Sequence, residues 1–295
     1  MAATFRPRRS VLYMPGSNAR AQEKAKTLPA DAIILDLEDA VAPDSKEAAR
    51  DQVCASVTGG GYGGREMIIR VNGLDTPWGE EDIKAASQAA PDAILIPKVE
   101  SAQMVEQALT RMDSAGAPET TALWCMMETP RGILRAEEIA GASPRIGGLV
   151  MGTSDLVKDV HALHTRARLP MLTSLAICIL AARAEGLAVM DGVYLDLKNA
   201  DGFRDVCVQG LELGFDGKTL IHPGQVAPAN DVFAPDAEEV AHAYKVIEAF
   251  AAAEKEGKGV VVVDGQLVEN LHVENAKRLV ALAEAISDLE TANAQ

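Results

Sequence analysis

Two carboxylates stand where apolar runs give out: Glu128 after ALWCMM and Asp155 after GGLVMGTS. Neither has a His or Cys beside it. Hard oxygen donors of this kind suit Mg²⁺, which takes one or two carboxylates and completes its shell with waters and substrate oxygens. Mn²⁺, which shares the preference for oxygen, is the alternative ion. The competing reading is a pair of solvated loop acids. Arg70 lies inside the apolar run MIIRVNG. A buried Arg must be paired, either with nearby acids such as Glu38 and Asp39 or with an anionic ligand. In PGSNARAQEKA, Gly16–Ser17–Asn18 precede a helix-like stretch carrying Arg20 and Lys24 on one face. Free amides there, backed by two cations, would make a phosphate seat.

Three other patterns are weaker. GGGYGG (Gly59–Gly64) precedes an apolar run where a phosphate loop would follow one, so it reads as a turn. Gly217–Lys218–Thr219 has Glu212 where a Walker motif requires Gly. His161 and His164 are spaced to chelate a metal from one helical turn but lie in a polar stretch beyond Asp155.

The elements that must position these residues form a regular series. Short apolar runs occur at Ser10–Met14, Ala32–Asp39, Met67–Gly73, Ala93–Lys98, Ala122–Glu128, Gly147–Asp155, Val189–Tyr194 and Phe215–Pro223. Their near-continuous apolar character suits strands buried on both faces. Helix-like stretches lie between most of them: Ala19–Thr27, Lys46–Val53, Glu80–Ala89, Ala102–Met112, Leu172–Glu185 and Gly202–Leu213. Ile133–Ile139 is the one helical stretch between runs five and six. Asn18, Ser45 and Asp201 are the expected N-caps of three of them. Eight strands alternating with helices over roughly 220 residues predict an α/β fold of the (β/α)8 TIM-barrel type. A doubly wound sheet is the rival, with a ligand crevice at one switch point. The polar residues at the run ends, among them Asp36, Asn72, Lys98, Asp216, Lys218 and His222, then gather at the barrel mouth. The barrel domain is expected to span residues 1–225. Residues 226–295 form a C-terminal helical lid extension: a helix at Asp236–Glu256, a turn with a β-like run at Gly257–Gln266 and a helix at Val273–Leu289.

Composition excludes several functions. The chain is 48% hydrophobic and 24% charged, enough to build a sizeable core, and with 4% aromatics that core rests on Ala, Val, Leu, Ile and Met. A net charge of −15 argues against nucleic-acid or anionic-membrane partners, which require clustered Lys and Arg. Cys54, Cys125, Cys178 and Cys207 include no CxxC pair and read as reduced, structural thiols. The basic N-terminus is followed by too short an apolar run for a signal peptide, and no stretch approaches the ~18 apolar residues of a membrane span. The expected location is cytoplasmic.

The segments RSVLYMPGSN, ILDLEDAVAPDSKEAAR, IIRVNGLDTPWGEED, ILIPKVES, MMETPRG, VMGTSDL and GFDGKTLIHPGQ together resemble the citrate lyase β-subunit/malyl-CoA lyase family, the HpcH/HpaI aldolase-like CoA-ester enzymes. The resemblance runs through nearly the whole chain in order. It implies a Mg²⁺-dependent TIM barrel acting on CoA thioesters such as malyl-, citramalyl- or methylmalyl-CoA. It implies Glu128 and Asp155 as metal ligands, Glu128 also meeting the substrate, and Arg70 as holder of the substrate's oxygens and stabiliser of an enolate. Glu38 and Asp39 would organise Arg70 and the metal's waters, while Arg20 and Lys24 would meet the CoA phosphates. It further implies a homotrimer or homohexamer in which the lid of one subunit completes its neighbour's site.

One stretch departs from the family's lyases. They carry an Asp in a lid segment like DGKLIDMP as acid/base at the acetyl-CoA methyl carbon. Here the stretch is DGQLVENL (Asp264–Leu271), with Glu269 in that place and Leu271 in place of Pro. The ENLH signature resembles the branch that hydrolyses (3S)-malyl-CoA to malate and CoA. Glu reaches roughly 1.5 Å farther than Asp, and a displacement of that size in a catalytic group costs on the order of 100-fold. Glu269 would then act as base on water at the thioester carbonyl, or as nucleophile. C–C cleavage of the same substrates and a citrate-lyase-like subunit working within a complex remain the alternatives.

Overall fold

In a computed structural model describing residues 6–293, eight parallel strands close into a barrel in sequence order. They are β1 (Ser10–Pro15), β2 (Ala32–Asp36), β3 (Glu66–Arg70), β4 (Ala93–Ile96), β5 (Ala122–Met127), β6 (Ile146–Met151), β7 (Ala188–Asp191) and β8 (Gly217–Leu220). The α/β TIM barrel expected from the apolar runs is the observed architecture. Most runs reach several residues past their strands, because the chain stays apolar or extended into the loop after ladder pairing has ended. Residues 1–5, the start of the basic N-terminal segment, lie outside the described residues.

Side chains alternate across each strand, and this alternation decides what reaches the barrel interior. Val11, Ala32, Ile34, Ile68, Ala93, Leu95, Trp124, Met126, Val150 and Met190 form the inner cluster, with Tyr13 packed against it. Leu12, Ile33, Leu35, Ile69, Ile94, Cys125, Leu149 and Val189 face outward to the helices. Trp124, fully buried, fills the barrel's interior, and burying a side chain of this size contributes at least ~1.5–3 kcal/mol.

The helices fall close to their expected places. Asn18 caps Ala19–Ala25 through Ala21 N, as expected. Ser45 makes no side-chain cap for Lys46–Gly59, and the cap of Ala200–Leu213 is Asn199, not Asp201. Asn199 takes that role because its Oδ1 reaches Gly202 N at 2.9 Å, which leaves Asp201 inside the first turn. Ile133–Ile139 is two short helices, Pro130–Leu134 and Ala136–Ala140. All four cysteines are free, and burial pushes the thiols of Cys125 and Cys178 up to about 12, which suits structural thiols. Among the described residues no helix is long and apolar enough to cross a membrane.

Chain contacts divide the molecule into a unit from Arg8 to Phe233 and one that joins the N-terminal segment through Pro7 to the chain from Ala234 onward. The helix Val226–Phe233 therefore belongs with the barrel, where it packs on the helix Ala200–Leu213. In the C-terminal unit, helix Ala237–Lys255 starts from a capping box made by Asp236 and Glu239. A hairpin follows, β9 (Val261–Val263) and β10 (Gln266–Val268), turning at Asp264–Gly265 with φ of 48° and 83°. Asp-Gly is the sequence for such a turn, since both central residues take positive φ. Helix Asn270–Asn293 packs against Ala237–Lys255 through Ala243, Val246, Phe250, Val273, Ala276 and Val280.

Candidate active site at the barrel mouth

Extending the inward alternation by one step past each inner residue gives Tyr13, Asp36, Arg70, Glu128 and Gly152. These follow Val11, Ile34, Ile68, Met126 and Val150 of the inner cluster. The C-terminal ends of β1, β2, β3 and β5 therefore present one polar group each at the mouth, where barrel enzymes hold their chemistry, and the end of β6 presents the bare Gly152. Asp36 and Arg70 are direct register partners across β2 and β3.

Asp36 is the main partner of Arg70. Arg70 Nε donates to Asp36 Oδ1 at 2.6 Å and Nη2 to Oδ2 at 2.7 Å, a bidentate pair between two buried side chains. Nη1 lies 2.8 Å from Glu38 Oε2, outside hydrogen-bond angles, so that buried oxygen has no donor among the described residues. Asp39 is exposed and reaches Nη1 only at 3.5 Å. The expected pairing of Arg70 with Glu38 and Asp39 is present, but Asp36 leads, because it alone shares the register and inward direction of Arg70. The guanidinium also lies over the Tyr13 ring, 4.9 Å from its centroid.

Glu128 is buried and its carboxylate is fixed from two sides. Lys98 donates its backbone N–H to Glu128 Oε1 at 2.8 Å. Lys98 has φ of 50°, in the left-handed region that non-Gly residues seldom adopt. Its ammonium reaches Glu38 Oε1 at 3.3 Å. On the other side a Cβ on Gly152 would overlap the Glu128 carboxylate and its Cβ. Burial, and then the charges of Glu38 and Asp155, push the Glu128 carboxyl up to about 7 against the Lys98 amide. Burial likewise raises Glu38 despite Arg70.

Asp155 is not at a strand end. β6 stops at Met151, and Asp155 is half-buried in the first turn of Thr153–Asp159, where the helix dipole favours an anion. Among the described residues no three His, Cys, Asp or Glu side chains are grouped as a metal cage. The donor chemistry at the mouth nevertheless fits a hard dication. Glu128, Glu38 and Asp155 act electrostatically on the same Lys98 ammonium, and their donors are all carboxylate oxygens, the kind a hard dication takes.

Other expected site residues fall elsewhere. Arg20 and Lys24 are exposed on one face of their helix. The free amides expected before them are absent at two of three positions: Gly16 N donates to Asp36 O and Asn18 N to Pro15 O. Asp216 precedes β8, so it lies at the opposite end of the barrel, where it pairs with Arg183. Lys218 faces the helical layer and not the mouth, because its register partner Asp191 sits one step off the inward series. Lys218 donates to Asp191 Oδ2 at 2.9 Å, and Arg168 Nη1 holds the same carboxylate at 2.7 Å. Asn72 accepts from Lys46 Nζ at 2.7 Å and donates to Leu37 O at 2.9 Å, which fixes the loop carrying Glu38. His222 caps Gly224 N. In the C-terminal unit Glu269 is exposed just before helix Asn270–Asn293, and its backbone N–H donates to His272 Nδ1 at 3.0 Å.

Sequence reading placed Asp36 and Lys98 at the mouth without giving either a role, and passed over Tyr13 and Gly152 as site residues. Strand alternation counted from the apolar runs would have found Tyr13 and Gly152 and turned Asp36 toward Arg70. The left-handed Lys98 leaves no such mark.

The chain and its fold have solved and named counterparts. The protein CitE of Mycobacterium tuberculosis, solved in complex with magnesium, acetoacetate and coenzyme A, superposes with a TM-score of 0.76 at 28% identity, covering 95% of this chain and 98% of that one. A (3S)-malyl-CoA thioesterase of Cereibacter sphaeroides is 51% identical over 97% of this chain and 98% of its own length. The citrate lyase subunit beta of Escherichia coli is 37% identical over 95% and 94%. Residues 9–223 match the family described as HpcH/HpaI aldolase/citrate lyase, and the chain belongs to that family of enzymes.

Proposed function

We propose that this enzyme hydrolyses the thioester of a (3S)-malyl-CoA-type substrate in a Mg²⁺-dependent reaction, releasing the hydroxydicarboxylate and free CoA. The observation that carries this reading is the 51% identity, over nearly the full length of both chains, to a protein named for that activity. Glu269, in the segment where lyases of the family carry Asp, supports the same outcome.

Glu128 and Asp155 are the residues that would hold the metal, with Mn²⁺ as the alternative ion. A bound dication supplies charge neutralisation and polarisation of the substrate's oxygens. The Lys98 amide and the space over Gly152 orient the Glu128 carboxylate. Arg70, held by Asp36 and Glu38, presents a fixed positive centre to an oxygen of the acyl group. Glu269 takes a proton from the attacking water. The new C–O bond then forms at the thioester carbon, the C–S bond breaks, and the proton leaves with the CoA sulfur. Arg20 and Lys24 meet the CoA phosphates, Asp39 remains at the rim, and the substrate is the chain's small-molecule partner in the cytoplasm. The lid extension acts within a homotrimer or homohexamer.

Product analysis tests this directly. Incubation with (3S)-malyl-CoA should yield malate and CoA without glyoxylate, and EDTA should stop it. Equimolar glyoxylate and acetyl-CoA would overturn it in favour of C–C cleavage, the second reading, for which the 37% identity to a citrate lyase subunit speaks. Glu269→Asp separates the two, since a gain of lyase products supports the geometric argument. Turnover by the purified chain alone excludes a role confined to a multisubunit complex.

A further inference from the structure

The Tyr13 hydroxyl is a polar group at the barrel mouth that none of the pairings above engages. It is shut off from solvent and has no hydrogen-bond partner among the described residues. A buried hydroxyl in that state lowers stability, because it has exchanged its water for nothing. The group is nonetheless placed among the mouth's charged residues. The ring lies against the Arg70 guanidinium, and Asp36, Glu128 and Glu38 all act on the phenol electrostatically. Burial and those acids raise its pKa, so the phenol stays protonated and is a donor at every working pH.

Arg70 explains why a second donor is of use there. Its charge is shared among Asp36, Glu38 and Asp39, and two of its donor groups are committed to Asp36. An anionic oxygen brought to this guanidinium meets a cation already largely offset by carboxylates. A neutral, fixed hydroxyl adds a hydrogen bond without adding negative charge beside Glu128 and Glu38.

We infer that Tyr13 is a substrate-contacting residue whose phenol donates a hydrogen bond to an anionic oxygen of the acyl group held at Arg70. The inference rests on the proposed reading for the identity of the acyl group, though not for the placement of the donor. A purely structural Tyr13 predicts something different: deletion of an unsatisfied hydroxyl would leave function untouched.

The test compares wild type with Tyr13→Phe, which keeps the ring over Arg70. Three quantities are read: the melting temperature, the affinity for oxalate in Mg²⁺ buffer by calorimetry, and kcat and KM on (3S)-malyl-CoA. Oxalate is the probe because it is a small planar dianion that chelates a dication and offers carboxylate oxygens to Arg70. The variant is expected to melt at the same temperature or higher, bind oxalate about 10-fold more weakly and lose at least 10-fold in kcat. Oxalate affinity within twofold of wild type, including no binding by either protein, overturns the inference, as does a melting temperature lowered by several degrees. A wild type that binds oxalate but releases no CoA from malyl-CoA defeats the proposed reaction alone, and the oxalate comparison still decides Tyr13.

Discussion

Gly152 is the floor on which Glu128 rests: the carboxylate occupies the space that a side chain at 152 would fill. The β5–β6 register pairs Met127 with Met151, so Glu128 and Gly152 are the next residues along adjoining strands. Gly152→Ala should therefore displace the carboxylate while leaving the barrel folded, at a cost of about 1–3 kcal/mol. The expected result is a loss of at least 100-fold in activity, and of the Mg²⁺-induced rise in melting temperature. Wild-type metal response in this variant would show that Glu128 is not a ligand.

Asp36, the last residue of β2, and Asp39, in the loop that follows, offer a contrast. Asp36→Asn breaks a buried bidentate pair and leaves Arg70 under-neutralised, which should cost about 3–5 kcal/mol in urea denaturation. Asp39→Asn should stay within about 0.5 kcal/mol, since its carboxylate is exposed and 3.5 Å from Arg70. Equal effects would refute the order of importance drawn from the register.

Lys98→Ala keeps the amide that holds Glu128 and removes the ammonium beside Glu38. With one cation fewer at the mouth, the Mg²⁺ requirement should not rise. KM for the anionic ester should increase about 10-fold, equivalent to about 1.4 kcal/mol. Steady-state kinetics across a Mg²⁺ titration measures both.

Asp191 gives the pH prediction. Burial alone would raise its carboxyl, but Lys218 and Arg168 outweigh that and hold it below its ordinary 3.8. The folded state therefore gains from the ionised form. That stabilisation is complete above 3.8 and is lost as the pH falls through the lower folded-state value. Denaturant midpoints should drop below about pH 4. Asp191→Asn should flatten this acid limb and cost about 3–5 kcal/mol at pH 7, because it strands two cations. An unchanged acid limb in the variant would refute the assignment.

Chelation supplies the last prediction. EDTA should abolish turnover and added Mg²⁺ restore it, and Asp155→Asn should raise the Mg²⁺ concentration for half-maximal activity by 10–100-fold. Full activity in EDTA would remove the metal from the mechanism.

Apolar periodicity is a local property, so the eight strands, their order and most helices could be read from the residues alone. Glu128 and Arg70 were legible for the same reason, being polar groups inside or just after runs that must be buried. Contacts between distant segments decided the rest. Which acid holds Arg70 depends on the β2–β3 register, and register is a relation between two strands that neither states by itself. The role of Gly152 appears only when Glu128 is seen to rest on it. That Lys218 and Asp216 stand away from the mouth follows from where β8 begins and which way its residues face. The chain's own residues thus announced a barrel with acids and an arginine at its mouth, and tertiary packing decided which of those groups meet.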